Sequence, residues 1–511
     1  MKATVAEITG KVSSRNPVVC SPEESDGNIV PEKSANNGKA FPAESMEGRT
    51  PAERNSVHEA AHRTQRRASA SNGLDRVRQR AEADKTLRFN NLFQYLTVDL
   101  LRESFYELKR NVTPGLDGVT WREYERTLEE RLPELVRELH IGSYRATPAK
   151  RGYIVKDDGR QRPLGIQATE DKVVQQACVT ILNAVFEPLF SGFSYGSRPG
   201  RAPHDALDAL HEGIIRRKIN WILDCDIEGF FDNLSHVHLE RFIGERVADQ
   251  RMLRLIRKWL RVGWVEDGKR HAGTIGTPQG SVISPLLANI FLNAVMDKWA
   301  SAWRSAEAKG DVIIVRYVDD GVFGFQYETE GRAFLEALRE RLSAYGLTLH
   351  PTKTRLIEFG RFAASNRRER VEGKPETFDY LGFTHICSFN QRGKFCIRRK
   401  TIRKRLRRKL QEIKTELIKR MHRPLEETGK WLASVIRGFT NFHAVHGNMK
   451  APREMYTQIG RLWHWVIRRR SQKAKCRWTW ERFYRLQQQL LPRPRLVHPY
   501  PGIRFDAKHS R

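Results

Sequence analysis

Three aspartates have the residue type and the spacing that phosphoryl-transfer chemistry requires. Asp226 follows a short run of strand formers, and Asp319 and Asp320 stand together between two apolar, β-rich runs. The first pattern predicts a strand that ends in a carboxylate, with Asp224 on the same face, and the second predicts a hairpin with two acids at its tip. A lone strand-end aspartate is usually a cap or a turn residue, so the interpretation depends on the combination.

The three carboxylates together predict a divalent metal site. Neighbouring carboxylates repel each other unless a cation neutralises them. Mg²⁺ favours one or two carboxylates plus substrate phosphates, and two such ions about 3.5–4 Å apart can clamp the attacking and leaving oxygens of a phosphoryl transfer. We therefore predict that Asp226, Asp319 and Asp320 are catalytic and bind two Mg²⁺ ions, for which Mn²⁺ could substitute, with the backbone carbonyl of Ile227 as a further candidate ligand.

Two further segments have groups that suit a nucleotide. Lys156 and Arg162 flank an Asp-Gly turn, where an ammonium and a guanidinium could hold a triphosphate. In the block at 276–289 a Pro-Gln-Gly turn opens a predicted helix, in which Gln279 offers an amide and Gly280 lets a ligand approach the backbone. Taken alone, both segments also fit a solvated hairpin and a tight loop before a buried helix.

Both carboxylate segments resemble motifs of reverse transcriptases. Residues 317–320 read YVDD and resemble the YxDD box of that family, and residues 226–231 resemble its first catalytic motif, an aspartate followed five residues later by an aromatic. The similarity runs from about residue 97 to 501 and points to the bacterial group II intron-encoded kind. The sequence departs from the family pattern at Val318, where alanine is usual, and at 165–169, which read GIQAT in place of GIPT.

The resemblance implies roles for several individual residues. Phe231 would stack beneath the sugar and exclude a 2′-hydroxyl, which implies a preference for deoxynucleotides. Lys353 would place a cation near the triphosphate, and Arg198 and Arg201, in a basic turn before a predicted helix, would follow the phosphate backbone of a template.

The resemblance also implies a fold and an activity. The expected fold is α+β: a right-hand polymerase whose fingers and palm combine an antiparallel sheet with helices, followed by an α-helical thumb and maturase region. The expected activity is that of an RNA-directed DNA polymerase that copies intron RNA into DNA for retromobility, and of a maturase that binds intron RNA and promotes its splicing. The expected partners are group II intron RNA, target DNA, a primer and dNTPs. Because the sequence contains no HNH endonuclease motif, we expect the primer to come from another source, such as a nascent strand at a replication fork.

The net charge gives an independent indication of a polyanionic partner. The chain has 511 residues and a formal charge of +30, and residues 386–511 alone contain 33 Lys and Arg against 7 Asp and Glu. Such an excess is typical of nucleic-acid binding. At 398–423 apolar residues recur at helical spacing and basic residues occupy the remaining surface. We predict contacts with RNA phosphates for five arginines of this region: Arg403, Arg407, Arg468, Arg469 and Arg470.

Composition and the resemblance to reverse transcriptases together predict four parts of the chain, and composition excludes some classes of protein. We predict a disordered extension at 1–75, fingers and palm at 76–390, a thumb and maturase region at 391–475 and a basic tail at 476–511. The mean hydropathy of −0.59 argues against a membrane protein. Six scattered cysteines with no CxxC pair argue against a disulfide scaffold or a zinc finger, and we expect a bacterial cytoplasmic, nucleic-acid-associated protein.

Two alternatives to an active intron-encoded polymerase follow from the same sequence. A non-catalytic RNA-binding splicing factor could be built on a dead polymerase, but all three aspartates, Gln279 and Lys156 are intact. A domesticated reverse transcriptase in phage defence would not need the maturase-like region at 430–471.

Overall fold

The computed structural model describes residues 73–155 and 161–509. The extension predicted to be disordered at 1–75 lies outside the described residues except for its last three, and Lys156 lies outside them as well. Residues 73–83 are helical. The strands that follow are β1 (Ala149–Val155), β2 (Gln161–Ile166), β3 (Trp221–Cys225), β4 (Trp264–Glu266), β5 (Lys269–His271), β6 (Val312–Tyr317), β7 (Asp320–Phe325), β8 (Arg355–Glu358), β9 (Phe378–Tyr380), β10 (Phe383–Phe389) and β11 (Phe395–Thr401).

The helices outnumber the strands in the described part of the chain. They are α1 (Val98–Glu107), α2 (Trp121–Ile141), α3 (Thr169–Phe186), α4 (Pro203–Arg216), α5 (Phe230–Asn233), α6 (His236–Gly244), α7 (Gln250–Arg261), α8 (Ser284–Leu292), α9 (Lys298–Ala306), α10 (Glu328–Ser343), α11 (Ala363–Glu369), α12 (Arg403–Lys419), α13 (Leu425–His443), α14 (Lys450–Arg468), α15 (Gln472–Arg477), α16 (Trp480–Leu490) and α17 (Pro501–His509). A π-helical segment, Asn293–Asp297, connects α8 to α9.

A four-stranded antiparallel sheet in the order β6-β7-β3-β8, here called the palm sheet, forms the centre of the fold. The strongly apolar runs of β6 and β7 explain its position, because Val315, Val322, Phe323 and Phe325 are all buried. Helix α4 contacts β6, and α10 contacts β3 and β7. The palm sheet therefore provides a rigid support for residues at the ends of its strands.

The described part of the chain has two further sheets. The fingers sheet has the order β2-β1-β4-β5, in which β1 and β4 run parallel and the other pairs are antiparallel. The third sheet is the antiparallel set β11-β10-β9. The observed fold is thus α+β with mainly antiparallel sheets and a helical C-terminal region, which confirms the predicted fold class.

The helical C-terminal region has a hydrophobic core of its own. Leu406, Ile413 and Leu417 of α12 are buried in it, with residues of α13, α14 and α16. The basic helix predicted within 398–423 begins only at Arg403, since residues 398–401 are the end of β11. A second, larger core joins the palm sheet with the helices before it. The predicted boundaries at 75, 390 and 475 stay predictions.

The last residues of the described chain return to the palm. Helix α17 packs against α4, and the guanidinium of Arg216 donates to both carboxylate oxygens of Asp506 at 2.8 Å each. Lys508 lies 2.5 Å from Asp205, and Arg504 lies 3.2 Å from Asp208. The segment predicted as a basic tail is therefore largely helical, and its last helix, α17, docks on the palm through ion pairs. Within residues 73–155 and 161–509, no helix is both long and apolar enough to cross a membrane.

Candidate active site

The register of the palm sheet brings two of the predicted catalytic aspartates side by side. Strands β3 and β7 are antiparallel, with Cys225 opposite Gly321. Asp226 is the next residue after β3, and Asp320 is the first residue of β7, so the two carboxylates emerge at the same edge of the sheet. Asp319 immediately precedes Asp320. A strand end and a hairpin tip that are 93 residues apart in sequence thus meet in space, as the sequence patterns predict.

The hairpin that carries Asp319 is closed by a two-residue turn. Tyr317 pairs with Asp320, which leaves Val318 and Asp319 as the turn residues. Val318 has a φ of 56°, in the left-handed region. A β-branched residue rarely adopts this conformation, and such strain typically costs about 1–3 kcal/mol. The turn is therefore a place where the surrounding structure holds the backbone in an unfavourable geometry.

The carboxylates at this edge destabilise each other's charged forms. Asp320 keeps access to solvent, yet the protein around it desolvates its carboxylate, and the neighbours Asp319, Asp226 and Asp224 add repulsion; together they raise the pKa of Asp320 to about 8. Burial raises the pKa of Asp224 to about 7, partly offset by Arg355. A site that penalises negative charge in this way is one that a cation would stabilise.

A lysine ammonium already occupies part of this acidic environment. Lys353 Nζ lies 2.5 Å from Asp226 Oδ2. The segment that carries it is fixed to the same strand end, because the backbone amide of His350 donates to the Asp226 carbonyl at 2.8 Å and Ile227 forms an isolated bridge with Leu349. The structure thus places Lys353 beside a predicted metal ligand, where its ammonium neutralises charge that a metal ion would otherwise neutralise.

The carboxylates at this edge suit a hard divalent cation that takes some of its ligands from the protein and the others from a substrate. Among the residues that the structure describes, no group of three His, Cys, Asp or Glu side chains converges into a complete metal cage. Mg²⁺ does not require one, since it is usually held by one or two carboxylates and by substrate phosphates. The raised pKa of Asp320 and the ammonium on Asp226 are the observations in favour of such a cation here.

The predicted nucleotide-binding residues outside the palm are held together by a short network. Arg162 Nε on β2 donates to Gln279 Oε1 at 2.7 Å, and the amide of Gly165 donates to the Gln279 carbonyl at 2.7 Å. Gly280 has a φ of 99°, and a Cβ at this position would lie 3.3 Å from the Gly165 carbonyl. The fingers sheet and the Pro-Gln-Gly turn are therefore in direct contact, and the turn needs a glycine.

The same turn is tied to the segment that carries Phe231. The amide of Thr277 donates to the Phe231 carbonyl at 2.7 Å, and the amide of Gly276 donates to the Leu234 carbonyl at 2.8 Å. The Phe231 ring is 7% exposed and lies edge-on to Phe230, with centroids 5.3 Å apart. These contacts link the first carboxylate motif to Gln279 and fix the orientation of the Phe231 ring.

The prediction that Arg198 follows a template phosphate backbone is wrong. Arg198 is 3% exposed, and all three guanidinium nitrogens bond within the protein: Nε and Nη2 to the Glu187 carboxylate, and Nη1 to the carbonyls of Ser191 and Ser194 at 2.7 Å each. Its burial leaves no donor for a phosphate. Arg201 is half-buried and donates to the Gly192 carbonyl at 2.5 Å.

The C-terminal region has a basic groove that the sequence only partly revealed. An open groove of about 680 Å³ between α12 and α14 is lined by one carboxylate, Glu454, and by four cations. Two were predicted, Arg403 and Arg407, and two were missed, Lys450 and Arg453, because only the packing of the two helices brings them together.

The other three arginines predicted to contact RNA lie at the C-terminal end of α14. Arg469 lies over the Trp465 ring at 4.0 Å. Arg470 donates to a backbone carbonyl at 2.8 Å, and Arg468 donates to another at 3.3 Å.

Sequence reasoning also missed the buried ion pair next to the YVDD turn. Arg316 is 0% exposed and forms a bidentate pair with Asp297, which is 1% exposed. A signal was present, because arginine is almost never fully buried without a partner and here it interrupts the apolar run of β6.

Asp320→Asn should stabilise the protein in the absence of divalent metal. The substitution removes a carboxyl whose pKa is near 8 in the folded protein and near 3.9 in the unfolded chain. Between these values the unfolded chain ionises the group while the folded protein keeps it protonated, so the wild type loses stability as the pH rises and the variant does not. In EDTA at pH 8 we expect a Tm about 2 °C higher, since solvent access moderates the effect. A Tm difference that does not grow from pH 5 to pH 8 would contradict this assignment.

Comparison with known proteins agrees with this geometry. Residues 154–385 match the family model for reverse transcriptase (RNA-dependent DNA polymerase). The group II intron-encoded protein LtrA of Lactococcus lactis subsp. cremoris is 34% identical over 228 residues, which are 44% of this chain and 38% of LtrA. Protein YkfC of Escherichia coli (strain K12) is 34% identical over 238 residues, which are 45% of this chain and 62% of YkfC.

A further relative comes from a plant. Nuclear intron maturase 4, mitochondrial, of Arabidopsis thaliana is 32% identical over 142 residues, which are 27% of this chain and 17% of that protein. The matched part thus spans less than two thirds of each of these relatives. The segment that matches the family model, 154–385, includes the strand end, the Pro-Gln-Gly turn and the YVDD hairpin described above. The resemblance to reverse transcriptases is thus confirmed over residues 154–385, and the chain is similar to part of a group II intron-encoded protein.

Proposed function

We propose that this protein is an RNA-directed DNA polymerase encoded in a group II intron, which copies intron RNA into DNA and also acts as a maturase for its splicing. The observation that supports the polymerase most directly is the meeting of Asp226 with the Asp319–Asp320 turn at one edge of the palm sheet. The similarity to LtrA supports the intron-encoded origin.

The carboxylates of Asp226, Asp319 and Asp320 would hold two Mg²⁺ ions, or Mn²⁺ in their place, with the Ile227 carbonyl as an additional ligand. When bound, the metal ions supply Lewis acidity at the primer 3′-hydroxyl and neutralise charge on the pyrophosphate. Lys353 lies against Asp226 and would exchange that contact for a phosphate oxygen of the incoming nucleotide. The role of the protein is to position the reacting groups and to stabilise charge in a site that it partly desolvates.

The nucleotide would lie between the fingers sheet and the palm. Arg162 donates to Gln279, and this contact would hold its guanidinium in a fixed position towards a triphosphate. The Pro-Gln-Gly turn is bonded to the Phe231 segment, and the Phe231 ring would lie below the sugar and disfavour a 2′-hydroxyl. Lys156, the residue that follows β1 in the sequence, would add a second cation.

The basic groove supports the RNA-binding part of the proposal. Its four cations line a concave surface of the helical region, and phosphate neutralisation by Lys and Arg dominates affinity for nucleic acids. We infer that intron RNA, or the template and primer, contacts this groove. Target DNA would be a further polyanionic partner.

The direct test of the proposed function uses the purified full-length protein in two assays. The first is extension of a DNA primer on an RNA template with dNTPs and Mg²⁺. The second is splicing of the transcript that flanks the reading frame, at a Mg²⁺ concentration at which the RNA alone does not splice. We expect activity in both. Splicing without extension would favour a non-catalytic splicing factor, and extension without splicing would remove the maturase role.

Removal of two groove cations should weaken RNA binding in a salt-dependent way. The double variant Arg403→Ala/Arg407→Ala should bind the intron transcript about tenfold more weakly at moderate salt, and the slope of log K against log salt concentration should fall by about 2, because two phosphate contacts are lost. A matched control removes two exposed arginines that already pair with glutamates on their own helix α10, Arg332 and Arg339. Equal loss in both double variants would show that total charge, and not the groove, determines affinity.

A further inference from the structure

Arg316 makes a set of buried contacts that converge beneath the YVDD turn. Its Nε and Nη2 donate to the two carboxylate oxygens of Asp297 at 2.7 and 2.6 Å, and its Nη2 also donates to Ser194 Oγ at 2.7 Å. Its Nη1 donates to Asn289 Oδ1 at 2.9 Å and to the Val318 carbonyl at 2.8 Å. One side chain therefore joins a π-helical segment, helix α8 and the 194–196 loop to the backbone of the catalytic turn.

The 194–196 loop supports the same turn from another side. Asn289 Nδ2 donates to the Gly196 carbonyl at 2.8 Å, so Asn289 bridges the loop to Arg316. A Cβ on Gly196 would lie 2.5 Å from the Val318 amide nitrogen. The backbone of Tyr195 donates to the Arg316 carbonyl at 2.8 Å. The loop and the turn are thus in contact at a distance that only glycine permits.

These contacts act on the one residue of the turn that has an unfavourable conformation. Val318 has a positive φ, which its β-branched side chain disfavours, and the carbonyl that Arg316 holds belongs to this residue. Strained backbone persists only where surrounding structure determines it, and such sites are concentrated where precise geometry is needed. A buried charge pair is also costly to form unless its hydrogen bonds are satisfied, as they are at Arg316.

We propose that Arg316 is a positioning residue for polymerisation, which holds the strained Val318 turn so that Asp319 and Asp320 stand beside Asp226. The proposal rests on the proposed polymerase function. It assigns the residues bonded to Arg316, namely Asp297, Asn289 and Ser194, to the support of the catalytic turn. The basic turn segment that begins at Ser194 thereby has a structural role at the active site.

The first test is Arg316→Lys, which keeps the charge and loses the fork of donors. Because small displacements of catalytic groups can lower rates about 10²-fold, we expect kcat for primer extension to fall about 100-fold. The KM for dNTPs and the Kd for the primer–template should stay within threefold of wild type. The matched control is Arg399→Lys, which disrupts another buried pair, with Asp208 at 3.0 Å, and should lower Tm similarly while kcat stays within threefold of wild type.

Two further variants keep the test decisive. Asn289→Ala leaves the Arg316–Asp297 pair and therefore the fold intact, and should lower kcat about tenfold. In Arg316→Lys/Val318→Gly the glycine adopts a positive φ without strain, and should restore kcat at least fivefold relative to Arg316→Lys. A wild type that does not extend primers contradicts the proposed function. An active wild type with kcat within threefold in both Arg316→Lys and Asn289→Ala, or with no rescue by glycine, overturns the positioning role.

Discussion

Asp319→Asn should lower primer extension on an RNA template by about 10³-fold or more, with RNA binding unchanged. The three carboxylates at the edge of the palm sheet are the groups that would hold the metal ions, and a metal supplies several kcal/mol of transition-state stabilisation. At 1.36 kcal/mol for each factor of ten, the loss of one ligand is expected to cost about three orders of magnitude. Single-turnover extension with excess enzyme measures this effect without interference from product release.

The other two aspartates and one control define the specificity of this result. Asp226→Asn and Asp320→Asn should cause losses of the same order. Asp267→Asn is the matched control, because Asp267, like Asp319, is a residue of a two-residue hairpin turn, here between β4 and β5; Asp267 is exposed and has a positive φ. Asparagine tolerates this conformation, so extension should stay at the wild-type rate. If Asp319→Asn extends primers as well as Asp267→Asn does, the metal-binding assignment of the YVDD turn fails.

Phe231→Ala should admit ribonucleotides that the wild type rejects. The ring is almost fully buried and its backbone is bonded to Thr277, so a substrate sugar would meet a rigid surface at this position. Rejection by steric clash is an effective form of specificity, and we expect the ratio of kcat/KM for dNTP over rNTP to fall about 100-fold. Competition between a dNTP and the matching rNTP in primer extension measures this ratio.

Two controls separate discrimination at Phe231 from general damage. Phe231→Tyr keeps the ring and should keep the preference for dNTP. The truncation to alanine removes a buried aromatic, which typically costs about 3–5 kcal/mol of stability, so Tm and the KM for dNTP are measured in the same preparation. If the variant stays folded and its dNTP/rNTP ratio equals that of the wild type, Phe231 does not contact the sugar.

The secondary structure around the carboxylates could be predicted because it depends on local patterns. The apolar runs on either side of Asp319–Asp320 predict a hairpin, and the structure has β6 and β7 at these positions. The strand before Asp226 is also present. Alternation and turn chemistry are properties of a few consecutive residues, and for this reason the sequence reveals them.

The environment of the basic residues could not be predicted in the same way. Arg198 and Arg403 are both arginines in basic segments, yet one is buried in a network with Glu187 and the other lines an open groove. The difference depends on which chain segments pack over each side chain. Charge counting shows where cations are numerous, and it does not show which of them reach solvent.

The sequence by itself determined the chemical character of this protein: three aspartates at a strand end and a hairpin tip, a Pro-Gln-Gly turn, and a C-terminal region rich in cations. Only the tertiary structure decided how they are held. The support of the YVDD turn needs Arg316 to meet Ser194, 122 residues away in sequence, and the docking of α17 needs Arg216 to meet Asp506, 290 residues away. Such contacts depend on the packing of whole elements, because a buried guanidinium finds its partners only after the core around it has formed.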